Sequence, residues 1–162
     1  MFEATTSPNH VPTSPSGVQG SNYPSDQVVG YGDRPIIFFD GECVLCNGFV
    51  DWLLQIDRGG IFALAPLQGE TARACLPPLP HNPAEWSIYY QDASGLYSQS
   101  DAVLQICRRL GGGWELLSLG TFMPRMIRDR LYRLVADHRY NLLGRRSTCR
   151  MPSPSEKERF LP

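Results

Sequence analysis

A chain of 162 residues is long enough to bury the core of one domain and too short for two domains of ordinary size. A hydrophobic content of 42%, with seven Phe, seven Tyr and three Trp, excludes wholesale disorder and predicts a globular protein. The net charge of -1 is unevenly distributed: residues 1–104 hold three Arg against eleven acids, and residues 105–162 hold twelve basic residues against five acids. The ordinary interpretation is that these two halves pack beside each other in one domain.

The cysteines and the N-terminal sequence indicate a compartment. Five cysteines is an odd number, and their spacing lacks the density of a disulfide-stapled secreted domain. The stretch "MFEATTSPNHVPTSPSG" has no basic or apolar leader region, and no run approaches the roughly 18 apolar residues of a membrane span. Glu3 and Asp26 precede the first basic residue, Arg34, which argues against an import sequence. We therefore expect a cytoplasmic protein without membrane association.

The first elements of the chain alternate between strand and helix. Residues 1–33 are rich in Pro, Ser, Thr, Gly and Asn and predict a disordered tail, so the folded domain is expected over residues 34–162. "PIIFFD" predicts a buried strand that ends at Asp40, and a helical period follows from Cys43 to about Asp57. "IFALAPL" predicts a second buried strand and "GETARACL" a short helix, which the Pro-rich "PPLPHNP" ends.

The second half of the domain predicts a hairpin and two helices. "EWSIYYQDASGLYSQS" indicates two strands joined at "DASG". Ser100 is the expected N-cap of a helix "DAVLQICRRL", and a longer helix is expected near Phe122 to Tyr140. That helix should dock by an apolar face and expose an arginine face. The apolar face comprises Met123, Ile127, Leu131, Leu134, Val135 and His138, and the exposed face comprises Arg125, Arg128, Arg133 and Arg139. This order of elements predicts an α/β sandwich with a mixed central sheet and additional C-terminal helices.

Cys43 and Cys46 form the most specific chemical pattern in the chain, a Cys-x-x-Cys pair where the first strand turns into the first helix. At about 100° per residue, Cys46 shares a helix face with Phe49, Val50 and Leu53, so it should point inward. Cys43 lies in the first turn, where free N–H groups and the helix dipole favour an anion, and should be exposed. This asymmetry suits a nucleophilic thiolate backed by a resolving thiol.

Two acidic residues lie beside the cysteine pair, and other interpretations of the pair stay open. Asp40 and Glu42 place carboxylates beside the cysteines, which oppose thiolate formation, although Asp40 is also a candidate for proton transfer. The cysteines could instead be small buried hydrophobes or part of a zinc-stabilised or partner-binding module, but a second ligand pair for zinc is missing from the sequence. The arginines of the last helix could bind an acidic partner, yet nucleic acid is not expected because no known binding motif accompanies them.

The string from Asp40 to Cys46, "DGECVLC", resembles the DCC family of thiol-disulfide oxidoreductases. Three later segments agree with that family in order and spacing: "SDAVLQICRRLGG", "YRLVADHRYNLLG" and "CRMP". The resemblance spans about residues 35 to 162 and implies a thioredoxin-like fold and thiol-disulfide exchange. It also implies Cys43 and Cys46 as the redox pair, Asp40 as the motif acid, and five positions of unassigned role: Ser100, Asp101, Arg139, Tyr140 and Cys149.

The resemblance also sets expectations about partners. A disulfide-containing protein or small thiol would be the substrate and an external reductant the electron source, while no Gly-rich phosphate fingerprint predicts a bound nucleotide cofactor. The basic segment around Cys149 would favour a thiolate, so Cys149 is a candidate third redox cysteine as well as a candidate structural one. Pro83 is the nearest counterpart of the proline that positions substrate in thioredoxins, and its peptide isomer cannot be read from sequence.

Overall fold

The computed structural model describes residues 34–144, 152–154 and 156–162, with the backbone alone at 140–143. The predicted tail 1–33 lies outside these described residues. Four helices are present in them: α1 (Val44–Ile56), α2 (Glu70–Cys75), α3 (Gln99–Leu110) and α4 (Arg125–Leu143). Three 3-10 segments accompany the helices, at Pro83–Glu85, Gly112–Phe122 and Lys157–Arg159.

The sheet contains β1 (Ile36–Phe39), β2 (Ala63–Pro66), β3 (Tyr89–Asp92) and β4 (Gly95–Ser98) in the order β2-β1-β3-β4. β1 and β2 are parallel, with Ile37 opposite Leu64, because α1 carries the chain back across the sheet between them. β3 pairs antiparallel with both β1 and β4. The predicted α/β class with a mixed sheet is confirmed and agrees with a thioredoxin-like fold.

Side chains of β1 alternate between two cores, as the period of a strand requires. Ile37 and Phe39 pack with α1 and α3 on one face, against Val50, Leu53 and Ile106. On the other face Ile36 and Phe38 pack with α2, and the members there include Ala65, Ala72 and Leu76, with Trp86 beside them. The end of β1, where the cysteine turn begins, therefore lies between two packed layers.

α4 docks by a different face from the one predicted. Leu131 and Leu134 are 55% and 59% exposed, and Ile127, Val135 and His138 are also exposed. Instead, Tyr132 and Arg139 face the domain: the Ile88 N–H donates to Tyr132 Oη at 2.9 Å, and Arg139 is 3% exposed. The prediction was wrong because hydrogen bonds from a few polar side chains, rather than apolar burial, fix the orientation of this helix.

Ser100 was predicted to be an N-cap, and this was wrong as well. α3 begins at Gln99 after the N-cap Ser98, and Gln99 takes a positive φ of 55°. Ser100 is instead buried inside the first turn, where its hydroxyl donates to Asp129 Oδ1 of α4 at 2.6 Å. The hydroxyl thus joins two helices instead of capping one.

The described C-terminal residues close the free edge of β2. Phe160 bridges to Leu64 in parallel register, and the Leu161 N–H donates to the Leu64 carbonyl at 2.8 Å. Arg159 pairs with the fully buried Asp57 at the end of α1 and donates to its carbonyl at 3.0 Å. This covering removes an edge that would otherwise be open to pairing with another chain.

Candidate active site

Cys43 occupies the N-cap of α1 with extended backbone angles, φ -79° and ψ 123°. Its Sγ accepts a hydrogen bond from the Cys46 N–H at 3.3 Å, in the way that a serine or aspartate oxygen caps a helix. Its own N–H donates to the Asp40 carbonyl at 3.3 Å, which closes the turn between β1 and α1. The sulfur therefore lies at the positive end of the helix, where negative charge is favoured.

The exposure of the two cysteines is the reverse of the prediction. Cys43 is fully buried, whereas Cys46 is half-buried. The prediction placed Cys43 within the helix, but Cys43 is the N-cap, whose backbone angles are not helical, so its side chain folds back over the first turn. Both residues are free thiols.

The protonation of the two thiols differs strongly. A hydrogen bond from the Cys46 side chain lowers the pKa of Cys43 to about 7, assisted by the Cys46 N–H and the positive charge of Arg139 and opposed by burial and by Asp40. The same hydrogen bond, together with burial and the charge of Cys43, raises the pKa of Cys46 well above its usual value. Cys43 is thus the thiol of the pair that ionises first, while Cys46 stays protonated.

Asp40, at the end of β1, holds the turn through its side chain. Its Oδ1 accepts from the Glu42 N–H at 3.0 Å and from Gln68 Nε2 at 2.9 Å. Gln68 Oε1 in turn accepts from the Gly41 N–H at 3.2 Å, so one glutamine bridges two residues of the motif. Glu42 itself is half-buried beside the pair.

Arg139 reaches the site from α4 and ties it to the loop before β3. Its Nη1 donates to the Trp86 carbonyl at 2.6 Å and its Nη2 to the Pro83 carbonyl at 2.8 Å. Nη2 also lies 3.7 Å from Asp40 Oδ2. The Asn82–Pro83 peptide bond is trans, as are all peptide bonds of the described residues. A residue predicted on the exposed arginine face of α4 is therefore the cation of the site.

Two residues of this region were not predicted from the sequence: the buried Asn47, which builds the turn, and the half-buried Tyr132, which ties α4 to Ile88. Asn47 Nδ2 donates to the carbonyls of Gly41 and Cys43 at 2.9 and 2.7 Å. Tyr132, whose pKa is raised to about 12 mainly by burial, accepts from the Ile88 N–H. The available signal was position: Asn47 directly follows the second cysteine, and a polar residue one turn into an apolar helix face needs a buried partner.

Ser100 and Asp101 do not meet the cysteines among the described contacts. Asp101 pairs with Arg125 at 3.0 Å and with Arg128 at 2.9 Å, and Ser100 bonds Asp129, so both residues hold α3 against α4. Of the remaining predicted positions, Tyr140 lies within α4 with its side chain outside the described residues, and Cys149 lies outside them altogether.

Among the residues that the structure describes, no three His, Cys, Asp or Glu side chains cluster as metal ligands. None of the helices in this part of the chain is long and apolar enough to span a bilayer.

A thioredoxin-like sheet, with a Cys-x-x-Cys pair at the start of its first helix and a lowered thiol pKa at the first position, defines the class of thiol-disulfide oxidoreductases. The family described as DCC1-like thiol-disulfide oxidoreductase matches residues 37–145. The chain belongs to this family.

Two relatives extend the match. The chain is 36% identical over 129 residues to the uncharacterized protein YuxK of Bacillus subtilis (strain 168), covering 78% of this chain and 93% of the relative. It is 33% identical over 120 residues to a chloroplastic DCC family protein of Arabidopsis thaliana, covering 73% of this chain and 70% of the relative. No solved structure matches the chain.

Proposed function

We propose that the Cys43–Cys46 pair exchanges its dithiol with the disulfide of a protein or small-thiol substrate. The observation that carries this proposal is the position of Cys43 Sγ at the N-cap of α1, where it accepts from the Cys46 N–H at 3.3 Å and its pKa is lowered to about 7. With a pKa of about 7, roughly half of this thiol is ionised at neutral pH, against about one part in a hundred for a pKa of 9. Only the thiolate attacks a disulfide.

The reaction proceeds in two exchanges. The Cys43 thiolate attacks one sulfur of the substrate disulfide, the substrate S–S bond breaks, and a substrate thiolate leaves while a mixed disulfide forms. Cys46 then loses its proton, which the departing thiolate takes up directly or through solvent, and attacks Cys43 Sγ. This step releases the second substrate sulfur as a thiolate, which solvent protonates. Two electrons pass from the dithiol to the substrate, and an external thiol reductant restores the pair.

Arg139 and Asp40 have opposite effects on the ionisation of Cys43. Arg139 favours the Cys43 thiolate and Asp40 opposes it. Because Asp40 Oδ1 already accepts two hydrogen bonds and Oδ2 faces Arg139, its contacts suit positioning of the turn better than uptake of a proton. Asp40 therefore serves chiefly to fix Arg139 and the turn at the site.

Access is the second requirement of the mechanism. Since Cys43 is fully buried, a substrate sulfur reaches it only after the side chains around Cys43 and the half-buried Cys46 move apart. Local opening of this kind is common at sites of low local stability. The proposal includes this movement and places the protein in a reducing compartment, the cytoplasm, with no bound organic cofactor or metal.

Trapping of the mixed disulfide tests the proposal. A Cys46→Ser variant should retain Cys43 and accumulate a covalent adduct with a model disulfide such as hydroxyethyl disulfide, because no thiol is left to resolve it. Cys43→Ser should form no adduct at this site. Cys75→Ser is the matched control, since Cys75 is half-buried on α2 and its pKa is raised by burial. Adducts found on Cys75 or Cys107 instead of Cys43 would overturn the proposal.

A further inference from the structure

A pocket of about 530 Å³ opens beside the cysteine turn, on the sheet face that carries α2. Most of its walls are apolar side chains, which come from the end of β2, from α2 and from the Pro-rich segment that follows: Leu67, Leu76, Leu79 and Trp86. Gln68 and Arg73 supply its polar lining. A volume of this size falls within the range of ligand sites and accommodates one or two large side chains of a peptide.

Two residues that line the pocket, Gln68 and Trp86, also hydrogen-bond the groups around the cysteine turn. Gln68 hydrogen-bonds both Asp40 and Gly41, so the residue that lines the pocket also fixes the motif that precedes Cys43. On the other side, the Trp86 carbonyl accepts from Arg139, the cation that favours the Cys43 thiolate. Anything seated in the pocket is therefore held within a residue or two of the groups that control the thiolate.

The lining favours an apolar group over a cationic one. The Gln68 side chain is engaged with Asp40 and Gly41, and Arg73 Nη2 donates to the Gln68 carbonyl at 3.0 Å. The Trp86 indole N–H is also used, because it donates to the Pro80 carbonyl at 2.8 Å. Burying an ammonium among such walls costs free energy because the lining residues include no carboxylate, whereas burying a Leu or Phe side chain is favourable.

We propose that this pocket binds an apolar side chain flanking the reactive cysteine of a polypeptide substrate, an inference that rests on the disulfide exchange proposed above. The pocket gives the enzyme a preference for disulfides in apolar sequence surroundings. It disfavours small polar disulfides such as that of glutathione, which bring no large apolar side chain to fill the pocket and whose ammonium groups meet no carboxylate among the lining residues.

The test compares two synthetic peptide disulfides that are identical except for Leu or Ser beside the cysteine, with hydroxyethyl disulfide as a substrate that is too small to reach the pocket. We expect the Leu peptide to have a kcat/KM about tenfold or more above that of the Ser peptide, mostly through KM. Leu79→Ala and Pro78→Phe should reduce this ratio severalfold. The first shortens a wall, and the second fills the mouth from an exposed position without removing a buried group.

The matched control is Leu117→Ala, a change of the same type at an exposed leucine outside the pocket, which should keep the ratio. Equal kcat/KM values for the two peptides in the unmodified protein would overturn the proposed binding in the pocket without contradicting the proposed disulfide exchange. A ratio lost in Leu117→Ala and kept in Leu79→Ala would overturn it in favour of docking on the exposed apolar side chains of residues 116–135. Failure to turn over even hydroxyethyl disulfide would overturn the proposed function, and this inference with it.

Discussion

Arg139 Nη2 lies 3.7 Å from Asp40 Oδ2, and both side chains are only 3% exposed. This pair joins the last long helix to the end of the first strand, immediately before the cysteines. The same guanidinium binds the two carbonyls of the loop before β3. The helix, the loop and the cysteine turn are consequently held by one planar donor, a role for which lysine lacks the geometry.

Arg139→Met should lower the free energy of unfolding and reduce the ionised fraction of Cys43. Removing the cation from a buried carboxylate typically costs about 3–5 kcal/mol of unfolding free energy. The pKa of Cys43 should rise modestly, since Arg139 contributes less to lowering it than the hydrogen bonds from Cys46 do. Denaturant unfolding and thiolate absorbance against pH measure the two effects. Arg133→Met, an exposed arginine on the same helix, should change neither.

The stability of the reduced protein should increase with pH between about 6 and 8.5. The pKa of Cys43 is lowered in the folded protein from 9.0 to about 7, so its stabilising contribution is full above pH 9 and is lost as the pH falls through 7. Cys46 makes the stability decrease with pH, but only near pH 9 and above, where the Cys46 thiol of the unfolded chain begins to ionise. The measurement is unfolding free energy against pH, and Cys43→Ser should lack most of the slope.

Alkylation of Cys43 should be slower than its pKa alone implies. The sulfur is ionised near neutral pH but fully buried, so iodoacetamide must wait for local opening. We expect the rate to increase several-fold in denaturant concentrations well below the unfolding midpoint. Alkylation at the speed of a free thiolate in native buffer would show that Cys43 is exposed in solution and would contradict the buried arrangement.

Arg159→Met should cost about 3–5 kcal/mol of unfolding free energy, because it leaves the buried carboxylate of Asp57 without its cation. The backbone N–H groups of Ile61 and Phe62 still donate to Asp57, which should keep the loss within that range. Lys157→Met, an exposed change in the same 3-10 segment, provides the control in the same denaturation experiment. Equal stability of both variants would mean that the C-terminal residues do not hold the β2 edge.

The sequence predicted elements where local signals were strong. The apolar runs "PIIFFD" and "IFALAPL" gave β1 and β2, and the helical period after Cys43 gave α1 to within a residue at each end. Contacts between distant parts of the chain were not predictable in this way. The helical periodicity of α4 predicted Leu131 in the core and Arg139 in solvent, whereas in the structure Leu131 is exposed and Arg139 is buried.

By itself, the sequence determined the α/β order of elements and the place of a cysteine pair at a strand-to-helix turn, because periodicity and turn chemistry act over a few residues. Only the tertiary structure decided which sulfur is covered, which cation faces it and which pocket adjoins it. Those features depend on N-cap geometry and on side chains such as Gln68 and Arg139 that arrive from remote elements. Hydrogen bonds to buried carboxylates and carbonyls outweighed the apolar pattern of a helix there, since a buried polar group left unpaired costs more than an exposed leucine.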